Sequence, residues 1–344
     1  MNKILLIGPC FSQKEEYIVG GTITLFEDLI MSLKEFDVKI NVIDSNKKNY
    51  KNIIMAYFSI FSQISTSCRD CDVISLHSSK DYFILMPYIL LIGKIFKKKI
   101  SLRHFGMPNR INSKKLNPIV LIENWIFSGV DSLFFETKNL VNYFLQMNVN
   151  IFWFPNVRSS KLTPILPRRF NKRFIFLGRI IEEKGIEEIL KVSLDLDEEY
   201  IIDIYGPLLN KKYTTEYFEN YNVRYLGILH SEDVLSVLNQ YDVLLLPTYY
   251  EGEGYPGVII EAYSLGMPVI STYWHDITEI VESEKTGILV NPQNTCELIQ
   301  AIEFFDDENY EKMSQNAYVK FNEFKSDTQT KLFLERVLDL YTRG

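Results

Sequence analysis

Residues 243–272, VLLLPTYYEGEGYPGVIIEAYSLGMPVIST, constrain this chain more than any other stretch. The apolar run 243–246 suits a short buried strand, and Pro247 stops it. The polar, glycine-containing run 248–257 predicts a loop, and 258–265 predicts a helix. Gly266 suits the left-handed residue after a helix, and Pro268 cannot continue one. Residues 269–271 read as the next strand. Such a strand–loop–helix–strand unit belongs to a parallel α/β sheet, which binds ligands outside the carboxyl ends of its strands. Glu253 stands in the loop and Glu261 lies one turn into the helix, so two carboxylates eight residues apart face one crevice. Two chemistries fit them. They are an acid/base pair, as in glycoside hydrolysis, or they accept hydrogen bonds from sugar or ribose hydroxyls.

The same alternation runs along the whole chain. Strands are expected at 3–7, 38–43, 73–77, 99–103, 132–135 and 151–155, with helices between them. The periodicity lapses over 156–173, where Pro164, Pro167, Arg168 and Arg169 give the composition of a linker. It restarts at 173–177 and continues to a helical tail at 309–341. With 344 residues, two doubly wound α/β domains are expected.

Several function classes are disfavoured. A formal net charge of -7 argues against broad nucleic-acid binding. Four scattered cysteines form no disulfide framework, and Cys68-Arg69-Asp70-Cys71 lacks the second pair of a zinc site. The pairs Asp70/Asp72 and Asp195/Asp197 do not fall at strand ends, so no metal–diphosphate site is expected. The apolar segment 82–96 is shorter than the roughly 20 residues of a membrane span. A cytoplasmic protein is expected. Lys94, Lys97, Lys98 and Lys99 form either a solvated helix end or a basic flank resting on an anionic membrane.

Other candidate residues follow strands. Gly20-Gly21 comes after the first strand without the G-x-G-x-x-G pattern, and is either a plain turn or a close approach for substrate. Arg179 and Lys184 follow the strand 173–177; a planar guanidinium and a point charge suit a diphosphate. His77 and His104 come at the carboxyl ends of the strands expected at 73–77 and 99–103, so both are expected to point towards the cleft. His104 is the better candidate, because Gly106 opens the backbone beside it.

Gly20-Gly21, Gly178-Arg179 with Lys184-Gly185, and Glu253-Gly-Tyr-Pro-Gly-Val-Ile-Ile-Glu261 together resemble the GT4-type retaining glycosyltransferases. The likeness is strongest over 174–291 and weaker over 1–155. It implies the α/β GT-B fold, two doubly wound Rossmann-like domains facing across a cleft. Residues 1–156 would be the acceptor side and 157–324 the nucleotide-sugar side, with a helix at about 325–344 packing back on the first. By the resemblance Arg179 and Lys184 hold the diphosphate and stabilise the leaving group in place of a metal. Glu261 binds ribose hydroxyls and Glu253 the donor sugar. The N–H groups of Gly257 and Val258 lie near sugar and phosphates, Gly20 and Gly21 under the diphosphate, and His104 at the reacting face. His104, Glu253, Arg179 and Lys184 are thus the catalytic candidates.

No cofactor is implied beyond a UDP- or GDP-sugar donor. The implied partner is a glycan or polyprenyl-linked acceptor of bacterial surface polysaccharide, met at the inner face of the cell membrane. A nucleotide-sugar epimerase and a catalytically silent sugar-nucleotide-binding subunit are the other readings. One departure stands out: the family often has Phe-Gly where this chain has Tyr255-Pro256-Gly257.

Overall fold

The computed structural model describes residues 2–12, 21–112, 117–147, 150–159 and 168–338. The chain divides into two compact units, Met1–Ser159 with Ser326–Gly344, and Ser160–Lys325.

The first unit holds a parallel six-stranded sheet. Its strands are β1 (Lys3–Gly8), β2 (Lys39–Asp44), β3 (Val73–Ser78), β4 (Lys99–His104), β5 (Ser132–Phe135) and β6 (Asn150–Trp153), in the order β2-β1-β3-β4-β5-β6. Alternation along β1 shows how both faces are filled. Leu5 and Ile7 enter one core with Leu85, Ile89 and Phe127; Ile4 and Leu6 enter the other with Phe26 and Phe333. The first core lies under helices Ile53–Ser67, Tyr82–Phe96 and Pro118–Ser128, of which the first and third begin at the caps Asn52 and Asn117. The second lies under Gly21–Leu33 and the terminal helix Ser326–Leu338. Phe333 of that helix stacks on Phe154 at 5.5 Å.

The second unit repeats the plan. Strands β7 (Arg173–Leu177), β8 (Ile201–Tyr205), β9 (Arg224–Tyr225), β10 (Val243–Leu245), β11 (Val269–Thr272) and β12 (Gly287–Val290) are ordered β12-β11-β10-β7-β8-β9. The chain moves outward from β7 through β8 to β9, then returns to place β10 on the other side of β7. The loops after β7 and β10 therefore part at a topological switch point, where such sheets receive ligands. In the first unit the switch point lies between β1 and β3.

The tail expected at 309–341 is two α-helices, Asp307–Lys320 and Ser326–Leu338, joined by the 3-10 turn Phe321–Phe324. Among the described residues no helix is long and apolar enough to cross a membrane.

Candidate functional site

The switch point of the second unit brings three of the expected residues together. After β7 the chain passes Gly178 and the exposed Arg179 into the 3-10 turn Glu182–Lys184. Gly185 closes that turn at φ +78, and a Cβ there would lie 2.2 Å from the Pro247 carbonyl oxygen. Glycine is required both by the left-handed backbone and by the approach of the loop after β10. That loop is tied down from both sides. The Tyr249 N–H donates to the Glu183 carbonyl at 2.8 Å, and Trp274 Nε1 donates to the Tyr250 carbonyl at 3.0 Å.

Within this frame Lys184 Nζ forms an ion pair with Glu253 Oε2, and Thr248 Oγ1 donates to the same oxygen at 3.0 Å. Both charged side chains are about nine-tenths buried, 10% and 9% exposed. A buried cation and a buried carboxylate each need a partner, and here each is the other's. Tyr250 completes the group. Its ring centroid lies 4.8 Å from the Arg179 guanidinium carbon and 5.5 Å from Lys184 Nζ, so one aromatic ring serves both cations. Reading the sequence missed Tyr250, although it sits in the aromatic pair just before Glu251-Gly-Glu253.

The helix expected at 258–265 runs Gly257–Ser264, with Pro256 as its N-cap at φ -61 and no side-chain capping bond. That φ is the one the proline ring prefers, so Pro256 pre-sets the entry to the helix. It also leaves first-turn N–H groups, those of Gly257 and Val258, without a cap from that residue, the arrangement that receives anions at helix N-termini. Glu261 is half-buried one turn further on.

The first unit departs from expectation. Gly20 lies outside the described residues. Gly21 opens the helix Gly21–Leu33, with no atom within 4 Å of where a Cβ would stand, so no neighbouring protein atom demands glycine there. His104 does not face an opening. It is 1% exposed, edge-on to Tyr82 at 4.9 Å and to Phe127 at 5.7 Å, and neither ring nitrogen has a well-formed hydrogen bond among the described residues. Burial lowers its pKa to about 4. The reason is register: β4 remains paired through His104, opposite Ser78 and Phe135, so strand alternation turns its side chain under the helices. His77 is likewise fully buried, on the other face against Phe26 and Phe333, and burial followed by the nearby Arg103 charge drives its pKa well down. The switch point of this unit opens into a cavity of about 300 Å³, lined in part by Ser45, Asn46, Lys47, His77, Ser78 and Asp81, so the buried His77 borders the opening that His104 does not reach. Lys47 pairs with Asp81, which also accepts from the Tyr57 hydroxyl at 3.0 Å. Neither Lys47 nor Asp81 was singled out by the sequence motifs.

With this geometry in place the likenesses to known proteins become specific. Residues 171–305 match the family described as glycosyl transferases group 1. Those residues are a group 1 glycosyltransferase domain. The matched stretch carries Arg179, Lys184, Glu253, Gly257, Val258 and Glu261. Among relatives of this chain, a putative colanic acid biosynthesis glycosyltransferase, WcaL, of Escherichia coli is 25% identical over 257 residues, 61% of this chain and 62% of that one. The capsular polysaccharide biosynthesis glycosyltransferase CapM of Staphylococcus aureus is 28% identical over 153 residues, 42% of this chain and 40% of that one. The chain thus spans less than two thirds of the length of either. Anabaena HepE, solved in complex with UDP, superposes with a TM-score of 0.74 at 14% identity, covering 99% of this chain and all of HepE. Such identity speaks for the fold, and the fold is GT-B.

Proposed function

We propose that this glycosyltransferase moves a sugar from a nucleoside diphosphate sugar to a glycan or polyprenyl-linked acceptor, with retention of configuration, in the building of a bacterial surface polysaccharide. The observation that carries the reading is the convergence of Arg179, Lys184 and Glu253 on Tyr250 at the switch point of the second unit. Two cations beside an uncapped helix N-terminus form a place for a diphosphate. The UDP and UDP-glucose complexes of HepE, and the biosynthetic roles printed for WcaL and CapM, point the same way.

In this reading the bond between the anomeric carbon and the diphosphate oxygen breaks as the acceptor hydroxyl oxygen bonds to that carbon on the same face. The acceptor proton passes to the departing phosphate oxygen. Arg179 and Lys184 stabilise the charge that develops on the diphosphate, without a metal. The N–H groups of Gly257 and Val258 bind at the phosphates, Glu261 accepts from ribose hydroxyls, and Glu253 orients the donor sugar. The cavity beside Lys47 and Asp81 takes the acceptor. His104, sealed among aromatic rings, acts as packing.

Titration calorimetry with UDP and with GDP tests the donor half. One of the two binds, and Glu261→Ala weakens it about tenfold or more, a loss of about 1.4 kcal/mol. Turnover persists in EDTA, and proton NMR finds the donor's anomeric configuration in the product. Absence of binding by both nucleotides, or unchanged affinity in Glu261→Ala, overturns the assignment.

A further inference from the structure

The loop after β10 loosens just where Glu253 stands. Gly252 and Gly254 flank that residue, nothing lies within 4 Å of where a Cβ on Gly254 would stand, and residues 251–254 are exposed or half-buried. Glycine on either side leaves the backbone free to turn, so the chain beyond Glu253 is placed by the point at which it is next tied down. That point is Tyr255. Its side chain is 4% exposed, its ring lies edge-on to Phe324 at 6.1 Å, and its hydroxyl donates to Glu279 Oε2.

Glu279 belongs to the short helix Ile277–Ile280 that follows β11, seated by the fully buried Ile277 and Ile280. The segment leading into that helix holds the loop at two further points. Trp274 Nε1 donates to the Tyr250 carbonyl, and His275 Nε2 stands 3.4 Å from Glu251 Oε2. His275 does so at φ +43, a left-handed backbone that non-glycine residues avoid and that persists where the surroundings hold it. Residues 274–279 therefore grip the loop on both sides of Glu253, at 250 and 251 before it and at 255 after it.

From Tyr255 the constraint passes on with little slack. A residue before proline is confined to extended backbone, and Pro256 has its own φ locked at -61 by the ring. Gly257 comes next and opens the helix Gly257–Ser264, whose first-turn N–H groups receive no side-chain cap from Pro256. The direction of those N–H groups is thus set by where Tyr255 is held. The ring packs against Phe324, but only the hydroxyl ties it to Glu279, so packing and tie are separable by one oxygen atom.

We propose that Glu279, acting through the Tyr255 hydroxyl, is a positioning residue for sugar transfer: it aims the first turn of Gly257–Ser264 at the sugar-bearing phosphate of the donor. The inference rests on the donor-site reading above and adds to it a pair of residues that act from outside the diphosphate site. Phosphate charge is met by N–H groups whose direction is fixed before the donor arrives, which is the arrangement that favours departure of the diphosphate.

Calorimetry with UDP and UMP, and with GDP and GMP, tests the aim. The ratio of diphosphate to monophosphate affinity isolates the terminal phosphate from base and ribose. In the wild type one diphosphate binds more tightly than its monophosphate. Tyr255→Phe keeps the ring and lowers that ratio about fivefold, with the monophosphate affinity unchanged. Glu279→Ala does the same, and the two changes combined go no further than either alone. Glu279→Gln keeps an acceptor oxygen and stays within about twofold of the wild type. Melting temperatures confirm that each variant folds. A merely structural role lowers mono- and diphosphate affinity together and leaves the ratio unchanged, which overturns the inference, as do losses that add in the double variant. A wild type that binds neither diphosphate overturns the donor-site reading and this inference with it. A diphosphate held equally well by wild type and variants overturns this inference alone.

Discussion

At the end of β4 the chain turns His104 inward against Tyr82 and Phe127, whereas beyond the end of β10 it turns Glu253 back onto Lys184. His104 ends a parallel strand and Glu253 follows one in the same kind of sheet, and both are polar. The difference is where the ladder stops. β4 stays paired on both sides up to His104, so its last side chain obeys strand alternation and is covered by helices. β10 is paired at Val243, Leu244 and Leu245, and Pro247 releases residues 248–256 to a loop. A polar residue inside the ladder becomes core, and one beyond its end is released to pair with a residue of a neighbouring loop.

The largest expected effect tests the outer half of that comparison. Glu253→Ala leaves Lys184 as a buried cation without its carboxylate, at a cost of about 3 kcal/mol in urea unfolding. Lys184→Met combined with Glu253→Leu costs much less than the two single changes added, because neither charge is then stranded. Additive losses across this cycle would show that the two residues act separately and that the loop is held by other contacts.

The next effect tests the inner half. Burial of the ring lowers the pKa of His104 to about 4 in the fold, against about 6.5 for a histidine in the unfolded chain. The folded state refuses a proton that the unfolded state accepts. The stabilisation is therefore complete above pH 6.5 and is lost as pH falls through the window from 6.5 to about 4, on the order of 3 kcal/mol in all. His77 adds in the same direction. His104→Phe keeps an aromatic ring in the cluster and removes one titration, so stability measured at pH 7.5 and at pH 5 differs less than in the wild type. An unchanged difference would mean that His104 is hydrated in solution and that the ladder argument fails at β4.

This contrast also explains what could be read from sequence and what could not. The unit from β10 to β11 was legible to within a residue or two because Pro247, Gly266 and Pro268 act locally on the backbone. That Lys184, Arg179 and Glu253 come together was legible because loop residues after strands converge at a switch point whatever their detailed conformation. The orientation of His104 was not, since it depends on pairing with Phe135, thirty-one residues away in sequence. Pro256 looked like a disruption of a family pattern and proves to be the residue that starts Gly257–Ser264. The apolar outer face of the first unit was half legible. Residues 82–96 stand out in the sequence as an apolar segment, but the exposure of Ile84, Leu91 and Ile95 shows only once the neighbouring helices are placed.

The smallest effect concerns the residue that no motif announced. Tyr250 offers its ring to Arg179 and Lys184 together, and its backbone is fixed by Trp274. If the ring sets the two cations for a diphosphate, Tyr250→Leu weakens UDP binding about fivefold, the roughly 1 kcal/mol of a partly desolvated cation–π contact. Tyr250→Phe keeps the ring and stays within about twofold of wild type by the same arithmetic. Calorimetry measures both, and the melting temperature separates a loosened loop from a mispositioned charge. Equal UDP affinity in Tyr250→Leu would leave the cations positioned by the backbone of their own turn. The site of the second unit would then resemble the core of the first, set by the ladder and its immediate exits rather than by contact between loops.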